Sequence, residues 1–208
     1  MAYWPEPSKA VLDNVVGVQV AHAIRLLEAA SDGERKQIAL DTRPFHQFCY
    51  SGLPPADHDH YAGNYRGSNH CCLKTYRVQV GAPGPFGGFV AVPNVGVEPP
   101  YVETELQVVS KEIREAIEFS SSLPPLERLL HVIAASARFL AEFLRVHPYA
   151  NGNGHAARYA FWAVCLHLGL YPKSFPVHER PNGFADNLNA WRAGDPGPLE
   201  RYLLLTLR

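Results

Sequence analysis

Apolar positions recur at helical spacing along most of the chain, with one exception near its middle. Val11, Val15, Val18, Ala21, Leu26 and Leu27 lie close to a 3.6-residue period over 11–30, and Ser31-Asp32-Gly33 ends that helix. Residues 1–9 read as an extended arm, and residues 34–50 as partly helical with Phe45, Phe48 and Tyr50 facing inward. The stretch 51–70 is rich in Gly, Pro, Asp and His and reads as loop. Then the period changes. Tyr76, Val78 and Val80 alternate with Arg77 and Gln79, a Gly/Pro-rich turn runs over 81–88, and Phe89 to Val92 return, which predicts a β-hairpin over 75–95.

From residue 102 the helical period resumes, and helices are predicted near 102–119, 125–146, 153–169, 183–193 and 197–207. Pro124-Pro125 opens the second of these, where proline is tolerated. That helix carries Leu126, Leu130, Ile133, Ala137, Leu140 and Leu144, with Val132, Phe139 and Phe143 on its other faces. A helix apolar nearly all round is expected at the centre of the fold.

Composition narrows the class without naming a function. The 208 residues suit one compact domain with short additions, and 47% hydrophobic residues suffice for a core. A formal net charge of −1 gives no bulk attraction to nucleic acid or to an anionic membrane, so neither is an expected partner. Four cysteines at 49, 71, 72 and 165 form no regular framework and read as reduced thiols of a cytoplasmic protein, either resident or delivered to another cell. The start of the chain lacks the basic and apolar regions of a signal peptide, and the apolar stretch near 161–170 is too short to span a bilayer.

The chemistry concentrates in His147-Pro148-Tyr149-Ala150-Asn151-Gly152-Asn153-Gly154-His155-Ala156-Ala157-Arg158. Proline at 148 should stop the central helix at His147. Two Asn-Gly pairs tolerate positive φ and can turn several N–H groups toward one point. A new helix then begins, capped by Asn153 or Asn151. A glycine-lined loop at a helix N-terminus favours anions. Helix starts normally attract acids, yet the first turns here carry His155 and Arg158 and no Asp or Glu. A bound phosphate would turn that misplaced charge into an attraction. His147, with an ordinary pKa of about 6.5, suits a general base at the other lip.

This segment resembles the Fic family signature, His-Pro-Phe-x-Asp/Glu-Gly-Asn-Gly-Arg-x-x-Arg. His147, Pro148, Gly152, Asn153, Gly154 and Arg158 match it, and Tyr149 takes the aromatic place. Ala62-Gly63-Asn64-Tyr65-Arg66 and the stretch Asn182 to Leu204 are similar to other family segments, so the resemblance spans roughly 40–208. It implies a mainly α fold, a Fic-type helical core with a small β-hairpin flap. On this reading residues 1–40 are an N-terminal arm and helix. Residues 41–208 are the Fic-like domain, with flap 75–95 and motif loop 147–158. The resemblance further implies a protein nucleotidyltransferase that moves AMP from ATP, with Mg²⁺, to a Ser, Thr or Tyr hydroxyl of a target docked at the flap. His147 would be the base, the Gly152–Gly154 backbone and the Asn153 side chain would hold the α- and β-phosphates, and Arg158 the terminal ones.

Two departures stand out. Asn151 occupies the acidic place that holds Mg²⁺, and an amide oxygen is a weaker ligand than a carboxylate. His155 occupies the first arginine place and is expected to donate one N–H to phosphate in its neutral form. Three outcomes fit: an AMP transferase with a variant site, a transferase using another phosphate-bearing donor, or a nucleotide-binding module that transfers nothing and acts through a partner. No Ser/Thr-x-x-x-Glu-Gly/Asn inhibitory helix is found, so regulation would be absent in cis, come from a separate protein, or use residues 11–30.

Other candidates read as ordinary structure. Asp57-His58-Asp59-His60 with His70-Cys71-Cys72 is expected to be a solvated loop rather than a metal site. His131 and His167 are expected to be partly buried. Trp191, Arg192, Phe184 and Asn187 are weak candidates to flank a base.

Overall fold

The computed structural model describes Trp4, residues 7–78 and residues 96–207. Eight principal helices follow one another: α1 (Lys9–Ala29, with a π turn at Leu12–Val16), α2 (Asp32–Leu40), α3 (Arg43–Tyr50), α4 (Val102–Ser120), α5 (Pro125–Val146), α6 (Asn153–His167), α7 (Phe184–Arg192) and α8 (Gly197–Thr206). The fold is mainly helical, and no strand occurs among the described residues. Most of the hairpin expected over 75–95, residues 79–95, lies outside them. Thr75 closes a 3₁₀ turn, Leu73–Thr75.

Local signals account for several boundaries. Ser31 and Glu34 form a capping box at the start of α2, with the Ser31 N–H 2.7 Å from the Glu34 carboxylate. Pro125 sits in the first turn of α5. The α4 and α5 helices pack as an antiparallel pair across a short turn, α2 lies along α6, and α7 and α8 close against α5.

Two expected faces are corrected. In α1 the buried stripe is Val16, Val20, Ala23 and Leu27, while Val15, Val18 and Leu26 are exposed. The helix is so rich in apolar residues that more than one stripe fits a 3.6-residue period. It is also long and apolar enough to cross a membrane, with a mean hydropathy of 1.3 over eighteen residues. Likewise, α5 is exposed at Leu126 and Leu130 and buried only from Val132 onward. The helix buried all round is α6, from Ala156 to Cys165. Its Ala156, Ala157, Ala160 and Ala163 let neighbouring helices approach closely, and Phe161 is fully enclosed. Truncating such a phenylalanine to alanine costs about 3–5 kcal/mol. This central helix fixes the loop at its N-terminus. Phe48, expected to face inward, is half-exposed and lies edge-on to His22.

Candidate functional site: the loop between α5 and α6

The loop starts where α5 ends. His147 adopts a left-handed conformation, φ 53°, and its N–H still donates to the Phe143 carbonyl at 2.9 Å. Glycine usually fills this place, and a β-carbon there costs about 1–2 kcal/mol. Arg66, nearly inaccessible, holds the junction. Its Nε donates to the His147 carbonyl at 2.7 Å, Nη2 to Val146 at 2.8 Å and Val97 at 3.1 Å, and Nη1 to Tyr76 at 2.9 Å. One guanidinium thus satisfies the orphan carbonyls at the C-terminus of α5 and ties residues 76 and 97 to it. Burial lowers its pKa to about 10, so it stays charged.

Beneath the loop, His46 stacks on Tyr149 with ring centroids 3.8 Å apart, and it is fully buried. Its Nδ1 accepts from the Gly63 N–H at 2.9 Å, so Nε2 carries the proton and donates to the Asn151 carbonyl at 2.9 Å. Burial pushes its pKa down to about 3. Tyr149 shares a 2.7 Å hydrogen bond with Thr42, and Asn153 pairs with the Tyr149 backbone twice, at 2.8 and 2.9 Å. The side chain of Asn153 therefore braces the loop instead of reaching a phosphate.

Gly152, at φ 75°, is the N-cap of α6. Neither Asn153 nor Asn151 takes the N-cap position, and Gly152, which does, has no side chain to bond the first-turn N–H groups. A β-carbon on Gly152 would lie 2.6 Å from the Tyr50 ring. The Tyr50 hydroxyl donates to His155 Nδ1 at 2.7 Å, and His155 Nε2 donates to the His178 carbonyl at 2.8 Å. Both imidazole nitrogens are thus engaged within the protein, and the N–H expected to meet a phosphate is directed to His178. Burial, with the nearby Arg158 charge, lowers the His155 pKa to about 4.

What remains faces a cleft of about 940 Å³, bordered by Trp4 and Leu12 on one side and by the loop on the other. The first-turn N–H groups of α6 have no intrahelical acceptor. Arg158 is 5% exposed, and its Nε donates to the Val177 carbonyl at 2.9 Å. Its Nη1 passes close over Gly154, where a β-carbon would be 2.9 Å away. Burial lowers its pKa to about 10, so the guanidinium remains cationic. At the opposite lip, His147 Nδ1 donates to the Leu144 carbonyl at 3.3 Å, leaving the lone pair on Nε2. Burial, with the Arg66 and Arg192 charges, lowers its pKa to about 4, well below the ordinary value of 6.5. His147 is a neutral imidazole at neutral pH.

The cleft brings together His147, Asn151, Gly152, Asn153, Gly154, His155 and Arg158, all named from the sequence. Arg180, His178 and Tyr50 also line it and were not foreseen. No periodic signal marks them, since each reaches the cleft through tertiary packing. Of the base-flanking candidates, Arg192 lies near enough to His147 for its charge to act on it, while two others fall elsewhere. Phe184 packs into the core against Phe175, and Trp191 lines a separate cleft between α4 and α5.

The magnesium ion implied at Asn151 does not fit this donor set. No Asp or Glu lines the cleft among the described residues. The Asn151 amide oxygen accepts the Gly152 N–H at 2.6 Å, turned back into its own loop. Among the described residues, no group of three or more His, Cys, Asp or Glu side chains could hold a metal. Mg²⁺ prefers carboxylate oxygens, and a single engaged amide is a poor substitute.

Fold and loop together define a helical protein with an anion-favouring cleft at the N-terminus of its central helix. The sequence model of the Fic/DOC family matches residues 90–165, a segment that includes the motif loop. Protein adenylyltransferase fic-1 of Caenorhabditis elegans is 30% identical over 107 residues, covering 51% of this chain and 19% of that protein. Its Caenorhabditis briggsae counterpart matches to the same extent. The similarity therefore spans under a fifth of the length of these relatives. Two solved structures share the fold at 13% identity. BepC, a VirB-translocated effector of Bartonella tribocorum with bound AMPPNP, has a TM-score of 0.58 over 97% of this chain and 88% of its own. The N-terminal Fic domain of a putative cell filamentation protein from Bartonella quintana has a TM-score of 0.59, over 99% and 91%.

Proposed function

We propose that the protein transfers AMP from ATP to a Ser, Thr or Tyr hydroxyl of a protein target. The hydroxyl oxygen attacks the α-phosphorus and the bond to the β-phosphate bridging oxygen breaks. Pyrophosphate leaves, and the hydroxyl proton passes to His147 Nε2. The first-turn N–H groups of α6 hold the α- and β-phosphates, and Arg158 holds the terminal one. Such a site acts by positioning and by fixed electrostatics. The observation that carries this reading is the pairing of a neutral His147, its Nε2 unprotonated, with the Arg158 guanidinium across one cleft.

The test is a mass-spectrometric search for added mass on the protein itself or on a lysate protein, with several nucleotides supplied in parallel. An adenylyl increment with ATP, lost in His147→Ala, is expected. A different increment would identify another donor, and an increment that persists in His147→Ala would remove His147 as the base.

One observation favours a second reading. Both ring nitrogens of His155 are committed to Tyr50 and His178, and Asn151 replaces an acid, which suits an attenuated module that binds nucleotide and acts through a partner. Under that reading Asn151→Asp with His155→Arg produces a large gain of transfer. Under the first reading the gain is small.

A further inference from the structure

Among the described residues that line the cleft the charged side chains are all basic, and the nearby Glu179 is turned to His178 at 3.4 Å. Arg158 is buried beside it, with its Nε fixed to Val177 and its Nη groups without a hydrogen-bond partner among the described residues. The groups that influence it are Tyr50 and Arg180, and neither is a carboxylate. Arg180 lines the same cleft. Arg77, by contrast, is paired with Glu98 at 3.1 Å and adds little net charge. A buried cation without a counterion is costly, and an anionic ligand removes that cost.

A divalent cation would do the opposite. It would add positive charge beside Arg158 and Arg180, with no carboxylate among the described lining residues to receive it. Uncomplexed ATP or pyrophosphate carries more negative charge than its Mg²⁺ complex, so the field of this cleft favours the uncomplexed form. We propose that the cleft takes its phosphate-bearing ligand as the metal-free polyanion, with the Arg158 and Arg180 guanidinium groups supplying the charge that Mg²⁺ would otherwise provide. This rests on the phosphate-binding reading of the loop. It does not require that the ligand be a nucleotide.

Calorimetry on the full chain tests it, with ATP and separately with pyrophosphate, each in EDTA and in excess Mg²⁺. Binding in EDTA is expected to be at least as tight as in Mg²⁺. Arg180→Ala, an exposed position outside the loop, should weaken the EDTA measurement by about tenfold and the Mg²⁺ measurement by less. Asn151→Asp should reverse the preference, so that ATP binds more tightly with Mg²⁺. Tighter binding by the wild type in Mg²⁺ than in EDTA, or no loss in Arg180→Ala, overturns the proposal. If pyrophosphate binds in EDTA and ATP does not, the nucleotide reading fails and the metal-free anion site stands. If neither binds under either condition, both fail.

Discussion

The underside of the motif loop and its open face use the same kinds of residue to opposite ends. Underneath, His46, Asn153 and Arg66 have their hydrogen-bonding capacity taken up by backbone groups of the loop and its neighbours. On the open face, His147 keeps a lone pair on Nε2, and Arg158 keeps two Nη groups beyond its bond to Val177. His46 is buried and His147 half-buried, and both are neutral, yet only the second has a nitrogen left for chemistry. Residue type therefore does not separate scaffold from reaction. Unused hydrogen-bonding capacity facing the cleft does.

That contrast is open to direct attack. His147→Gly should lower transfer by about 10³-fold, because it removes the base. The same substitution should raise stability by up to about 1 kcal/mol, since glycine adopts the left-handed backbone without strain. Kinetics and chemical denaturation on one variant check both, and a stability loss would place His147 with the scaffold. Arg66→Lys should cost about 3 kcal/mol in denaturation experiments, because one ammonium cannot serve four carbonyls spread over 76, 97, 146 and 147. Transfer should fall along with folding. Loss of transfer at unchanged stability would contradict the scaffold role.

Acid titration distinguishes the two sides less sharply but reaches both. His46, His147 and His155 bind protons near 6.5 when unfolded, but only near 3 to 4 when folded. Their contribution to stability is fully present above pH 6.5 and is lost as pH falls from 6.5 toward 4. Thermal unfolding should shift downward across that window. Transfer should stay level from pH 8 down to the onset of unfolding, and a halving of the rate near 6.5 would show His147 to be an unperturbed imidazole. The smallest effect is expected from Tyr50→Phe, which removes the hydroxyl bound to His155 and should cost about 1 kcal/mol in stability with little change in transfer.

Much of this was readable in the sequence, for identifiable reasons. The helices from 102 onward follow the apolar period, and α5 ends at Val146 with His147 as its cap, directly before Pro148 as expected. The motif residues are consecutive, so a loop brings them together without help from the fold. What the sequence concealed is tertiary. Alanines made α6 look less central than α5, although small side chains are what allow it to be enclosed. The partners of His155 lie 105 and 23 residues away, so nothing local announces that its nitrogens are occupied. Arg180 reaches the cleft from a segment with no period at all.

The central claim is that the α-phosphorus of a nucleotide is attacked within this cleft with His147 as the base. ATP labelled at the α-phosphate and ATP labelled at the γ-phosphate, each incubated with the wild type and with His147→Ala, test it most directly. Stable label on protein from the α-position alone, and only with the wild type, is the predicted result. Label from the γ-position, or α-label that survives in His147→Ala, would contradict it.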